Sequence, residues 1–151
     1  MLALSSSGCR GFTFLAEMGG STLASTAESR LRLSFARDAE APGWARKALD
    51  VLDHGLDDER LYSAKLLLSE LVSNSVKYGG DGPVQVGLEA GGMGVRVEVI
   101  DCGPGFKPAR RTAGLEEVGG WGLVLVGELA SRWGISAGRC GVWFEIDRAA
   151  L

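Results

Sequence analysis

A chain of 151 residues with 46% hydrophobic and 23% charged residues has the composition of one globular domain, large enough to bury a core without covalent staples. Its formal net charge of −3 excludes a global basic field for nucleic acid or an anionic membrane surface. One histidine, three irregularly spaced cysteines and no apolar run near the ~18 residues of a membrane span argue against a zinc site, a disulfide framework and a spanning helix, and point to a reducing cytoplasm.

Residues 1–28 are rich in Ser, Thr, Gly and Ala without periodicity, and are read as an unstructured leader before a domain spanning 29–151. From Arg30 to Phe35 the chain alternates, with Leu31, Leu33 and Phe35 on one face of a half-buried strand. Asp38 and Pro42 then suit a helix start, and Trp44, Ala48, Val51 and Leu52 recur at helical spacing until Gly55. Asp57 and Asp58 open a second helix that runs to Tyr78 and stops at Gly79-Gly80, with Leu61, Ala64, Leu68, Leu71 and Val72 as its core stripe.

Beyond Pro83 the period changes to two. Val84, Val86 and Leu88 form one strand, Gly91-Gly92 turns the chain, and Val95, Val97 and Val99 form the next. A Gly/Pro-broken loop covers 102–120, a third helix covers roughly 121–131, and a last hairpin about 137–141 leads to a closing strand with Val142, Phe144 and Ile146. The expected fold is α+β: a two-layer sandwich of a mixed, mainly antiparallel sheet with three helices on one face. Of 23 glycines, 17 lie between Gly79 and Gly141, so the second half needs close backbone approach or hinging.

Three places hold chemistry-bearing residues. Glu70 and Asn74, an i, i+4 pair, lie opposite the core stripe, with Leu66 and Leu67 flanking them. They mark either a cleft wall or a surface glutamate followed by a locally bonded asparagine. Asp101, at a strand end before Gly103 and Gly105, is either an acceptor beside backbone that can approach a ligand or a plain turn. Gly119-Gly120-Trp121-Gly122-Leu123 sits at a helix start, where free N–H groups suit an anion and glycine also permits close packing. No Walker A loop, dinucleotide fingerprint or eukaryotic-type protein kinase signature is present.

In this order the three segments resemble the N, G1 and G2 boxes of the GHKL (Bergerat-fold) ATP-binding superfamily. Ser69-Glu70 through Asn74 and Lys77 to Gly79 looks like the N box, Asp101-Cys-Gly103-Pro-Gly105-Phe the G1 box, and Gly119-Gly120-Trp121-Gly122-Leu123 the G2 box. The closest resemblance is to the small bacterial anti-sigma-factor serine/threonine kinases, and it covers roughly 30–147.

The resemblance implies ATP and Mg²⁺ as cofactors and gives each matched residue a role. Asp101 would accept from the adenine amino group, with Gly103 and Gly105 letting the backbone close on the base. Asn74 would offer its side-chain oxygen to Mg²⁺ and Lys77 would add charge near the phosphates. Gly120, Trp121, Gly122 and Leu123 would cradle phosphate, and residues 106–118, with Lys107, Arg110 and Arg111, would form a lid. Glu70 would be the general base for a hydroxyl of a partner protein.

The implied function is phosphorylation of an antagonist protein on Ser or Thr, with sequestration of a sigma factor as a second role, by a cytoplasmic homodimer that contacts neither nucleic acid nor membrane. The alternative is a non-catalytic partner-binding module with a degenerate nucleotide site. One departure favours that alternative. The family commonly places Gly-Lys-Thr before the closing strand, its threonine supporting the adenine-binding aspartate, where this chain has Arg139-Cys140-Gly141. Losing one such neutral hydrogen bond costs about 1 kcal/mol, roughly fivefold in affinity. A histidine-kinase catalytic domain is not supported, because the only histidine, His54, is not preceded by a helical hairpin.

Overall fold

The computed structural model describes residues 12–18, 29–101, 121–136 and 141–149, with backbone alone for 12–18 and 121–123. Six strands and three helices follow in the order β1 (Phe12–Met18), β2 (Ser29–Phe35), α1 (Ala41–Val51), α2 (Asp58–Tyr78), β3 (Val84–Gly91), β4 (Gly94–Ile100), α3 (Trp121–Leu129), β5 (Arg132–Ser136) and β6 (Gly141–Asp147). They form one sheet of order β1-β2-β3-β4-β6-β5. All five described pairings are antiparallel, so the mixed element expected of the sheet is not among them.

The period-2 segments bury one face, as their patterning requires. Leu31, Leu33 and Phe35 of β2, Val84, Val86, Leu88 and Ala90 of β3, Val95, Val97 and Val99 of β4, and Val142, Phe144 and Ile146 of β6 are all buried. Against them lies α2, which packs on β3, β4 and β6 and carries α1 and α3 on its flanks. Asp57 caps α2 by accepting from the Arg60 N–H at 2.8 Å. Asp38 opens α1 by accepting from the N–H groups of Glu40 and Ala41, both at 3.0 Å.

Four local expectations are corrected. Residues 12–18, read as part of an unstructured leader, form β1, because β2 offers an unpaired backbone edge and the Phe12–Met18 segment pairs along all of it. Helix α1 ends at Val51, before Gly55, which occupies the following connection at φ 57°. Its buried face is Leu49 with Ala41, Ala45 and Ala48, alanines that let α1 approach α2, while Trp44 and Val51 are exposed. Leu67 is fully buried and belongs to the core rather than to a cleft wall.

Candidate functional site

The antiparallel order gathers sequence-distant termini at one end of the sheet. There β2 leaves at Phe35 opposite the entry of β3 at Val84, and β4 leaves at Ile100 opposite the entry of β6 at Gly141. Helix α2 ends at Tyr78 beside them. Asp101, the first residue after β4, therefore lies among Arg37, the 79–83 turn and the last turn of α2.

Arg37 ties these pieces together. Its guanidinium donates to the Asp101 carboxylate oxygen Oδ1, to the Ser75 carbonyl in the last turn of α2, and to the Gly82 carbonyl at 2.6 Å. The Gly80 N–H donates to the same Oδ1 at 3.2 Å. Both charged side chains are only 15% exposed, so each depends on the other for the solvation it has lost. A cation over the C-terminal carbonyls of α2 also complements the negative end of the helix dipole.

Gly79 caps α2 with extended backbone (φ −78°, ψ 179°), which any residue can adopt. The reason for glycine here is space: a Cβ would fall on Asp101 Oδ2 and on the Arg37 guanidinium. The helix-stopping role expected of Gly79-Gly80 is thus joined by a packing role that periodicity does not reveal.

Glu70, Asn74 and Lys77 share one flank of α2. On the opposite side Lys65 pairs with Asp50 at 2.6 Å and Ser69 accepts from Arg46 at 2.9 Å, which fixes α1 there. At about 100° per residue, Asn74 lies half a turn round from Lys65, and Glu70 lies one turn, about 6 Å, below Asn74. Glu70 and Asn74 are half-buried, and among the described residues neither side chain forms a hydrogen bond or ion pair. Lys77 is exposed in the last turn of α2, where a cation is also favoured by the dipole alone.

Of the remaining expected positions, Gly103, Gly105, Gly120 and the lid residues Lys107, Arg110 and Arg111 lie outside the described residues. Trp121, Gly122 and Leu123 form the first turn of α3, as the sequence predicts, so their backbone N–H groups belong to a helix N-terminus. Gly141 is buried opposite Ile100, and a Cβ there would meet Ser136 Oγ at 3.2 Å. Support for Asp101 comes instead from Arg37 and the Gly80 N–H. Arg37 was missed in the sequence because it follows a strand outside any periodic pattern, 64 residues before its partner.

A cavity of about 340 Å³ lies elsewhere, at the β3–β4 turn on the open face of the sheet. It is roughly 20 Å along β4 from Asp101, so it is not part of this site. Its charged walls are mutually engaged in a cross-strand row. Arg30 pairs with Glu89 at 3.5 Å, Arg96 with Glu145 at 2.8 Å, and Arg132 with Glu145 and Asp147, each at 2.6 Å. Burial alone would raise the Glu145 carboxyl, but hydrogen bonds from Arg132 and Arg96 outweigh it and hold the group below the usual Glu range. Arg132 is correspondingly held above its ordinary value by its hydrogen bonds to Glu145 and Asp147.

A sheet with three helices on one face, an aspartate at the end of a central strand and a Glu/Asn pair on the covering helix that no other described side chain engages define the class of domain. A profile of the histidine kinase-like ATPase domain matches residues 35–144, and the chain belongs to that family. Comparison with curated proteins gives no match. The matched span runs from the end of β2 into β6 and includes Glu70, Asn74, Asp101 and the start of α3. ATP binding is the function this family indicates. No described helix is long and apolar enough to cross a membrane.

Proposed function

We propose that the protein is an ATP-dependent regulator of the anti-sigma serine/threonine kinase type, which phosphorylates an antagonist protein on Ser or Thr and, as a homodimer, sequesters a sigma factor. The observation that carries this reading is the placement of Glu70. It is a half-buried carboxylate one turn from Asn74, on the flank of α2 away from α1, and no other described side chain engages it.

In this reading the Glu70 carboxylate takes the proton of the partner's hydroxyl as its oxygen attacks the γ-phosphorus of ATP. The bond from that phosphorus to the β–γ bridging oxygen breaks, and ADP leaves with the electron pair. Asp101 accepts from the exocyclic amino group of the base, and the first turn of α3 faces phosphate with its free N–H groups. Asn74 fits a Mg²⁺ ion through its hard amide oxygen, since such an ion needs few protein ligands beside substrate oxygens. The ion would take its other oxygens from phosphate and water and would neutralise phosphate charge.

The test is calorimetric titration of Mg-ATP, followed by label transfer from γ-labelled ATP to protein in an extract of the source cell. Micromolar binding lost in Asp101→Asn, and transfer lost in Glu70→Gln, are expected. A second reading, a partner-binding module with a retired nucleotide site, draws on Gly141 and on the hold of Arg37 on Asp101. No heat up to millimolar nucleotide would favour it over the first.

A further inference from the structure

The flank of α2 away from α1 carries Glu70 and Asn74, and toward the start of the helix it turns apolar. Tyr62 is 68% exposed. Leu66 is half-exposed and is not one of the partly buried residues that pack on the described core. At about 3.6 residues per turn, Tyr62, Leu66 and Glu70 occupy successive turns of one row, about 6 Å apart. A surface Tyr or Leu standing singly calls for no explanation. Here two of them lead, turn by turn, to a carboxylate that no other described side chain engages.

The row has a charged foot. Glu59 lies about three turns before Glu70, at nearly the same angle round the helix and roughly 16 Å from it. It is exposed, and its carboxylate forms no hydrogen bond or ion pair among the described residues. In the other direction Asn74 follows Glu70 along the helix, and then Gly79, against Asp101. The reading above gives these upper positions to metal and base, so a nucleotide laid along α2 ends its phosphate chain at Glu70. The acceptor hydroxyl then has to come in over Leu66 and Tyr62.

Resting on the phosphoryl-transfer reading above, we infer that Leu66, Tyr62 and Glu59 form the docking strip for the acceptor segment of the partner protein and set its specificity. The segment that fits is extended and runs along α2. It places an apolar side chain on Leu66 and Tyr62, about two to four residues from the phosphorylated hydroxyl, and a Lys or Arg on Glu59, about five residues from it. These spacings are the distances along the helix divided by the rise of about 3.3 Å per residue of an extended chain. The three side chains touch neither nucleotide nor metal in this role. Apolar contact supplies affinity, and the carboxylate fixes the direction in which the segment lies.

The experiment follows label from γ-labelled ATP into the acceptor protein of a source-cell extract, using the full chain, Tyr62→Ala, Leu66→Ala and Glu59→Lys, with Mg-ATP calorimetry and thermal unfolding of each. Met93→Ala, which trims an apolar side chain 77% exposed at the β3–β4 turn, is the control. Each of the three strip variants is expected to transfer about tenfold more slowly at limiting extract and to recover as extract is added. Their Mg-ATP affinity and unfolding midpoint should stay near those of the parent, and Met93→Ala should match the parent throughout. Mass spectrometry of the labelled site should find the apolar residue and, on the same side of the hydroxyl, the basic one. Undiminished transfer in Tyr62→Ala and Leu66→Ala overturns the inference. So does a loss that added extract does not restore, a parallel loss of Mg-ATP binding, or an acidic residue where the basic one should be. A parent that labels no protein overturns the functional reading and this docking role together, whereas a labelling parent with indifferent strip variants overturns this role alone.

Discussion

Gly79 and Asp101 touch so closely that the carboxylate occupies the space a side chain on Gly79 would need. The end of helix α2 and the residue that follows strand β4 are thereby in direct contact, the Asp101 side chain against the Gly79 backbone. Gly79→Ala should displace the carboxylate and Arg37 with it, costing about 2–3 kcal/mol as a lower unfolding midpoint. It should also remove Mg-ATP binding. Gly87→Ala is the control, because a Cβ there has no neighbour nearer than 4.0 Å, and it should leave both readouts in place.

The flank of α2 separates binding from chemistry. Glu70→Gln keeps the shape of the side chain and removes a carboxylate that no other described side chain engages, so unfolding and Mg-ATP affinity should stay near those of the parent. Phosphoryl transfer to the partner should fall by about 10²–10⁴-fold, the usual contribution of a positioned base. Single-turnover transfer measured beside calorimetry gives both numbers on one sample. Loss of binding together with transfer would assign Glu70 to the nucleotide rather than to the hydroxyl.

Leu66 and Leu67 are adjacent in sequence and unequal in the fold. Leu67 is fully buried between α2 and the rest of the core, while Leu66 is half-exposed. Leu67→Ala should cost about 2–5 kcal/mol, as core leucine truncations do, and Leu66→Ala much less. Chemical denaturation of the two variants measures the difference directly.

Acid should find the open face of the sheet. The Glu145 carboxyl is held below its ordinary range in the folded state, so across that window the unfolded chain binds more protons than the native one. Its contribution is present above the unfolded pKa and is lost as pH falls through the lower, folded one. Unfolding midpoints followed from neutrality into the carboxylate range should fall less steeply for Glu145→Gln than for the parent. Equal slopes would mean that the Arg96–Glu145–Arg132 cluster adds nothing to the acid response.

The periodic elements were legible in the sequence because each has one buried face and a chemical stop. Asp57 begins α2, Tyr78 ends it, and the alternating valines of β3 and β4 place their strands within a residue or two. Where packing overrides periodicity the reading failed. Trp44 shares the helical spacing of α1 yet faces solvent, because alanines line the contact with α2. β1 carries too weak a pattern to be read alone and is specified by the edge of β2.

The candidate site divides in the same way. Glu70, Asn74 and Asp101 stand out as residue types in unusual settings, and helix geometry alone puts the first two together. Arg37 could not be found so, since only the strand order brings the end of β2 to the end of β4. The tight fit at Gly79 is equally invisible in a sequence where a glycine after a helix already has a sufficient reason to be there.

The cross-strand row on the open face also acts as a register code. Arg96 of β4 stands between Glu89 of β3 and Glu145 of β6. A slip of β4 by one residue is forbidden by its valines, which would turn to solvent. The next slip, by two toward the start of the strand, keeps Val97 and Val99 inward but brings Asp101 into the buried place of Val99. It would also bring Glu98 into the place of Arg96, between Glu89 and Glu145, and like charges directly opposite one another are destabilising. Two residues of opposite sign, two positions apart on one strand, thus act with the buried valines against this misalignment, and help to secure the position of Asp101 one residue beyond the strand's end.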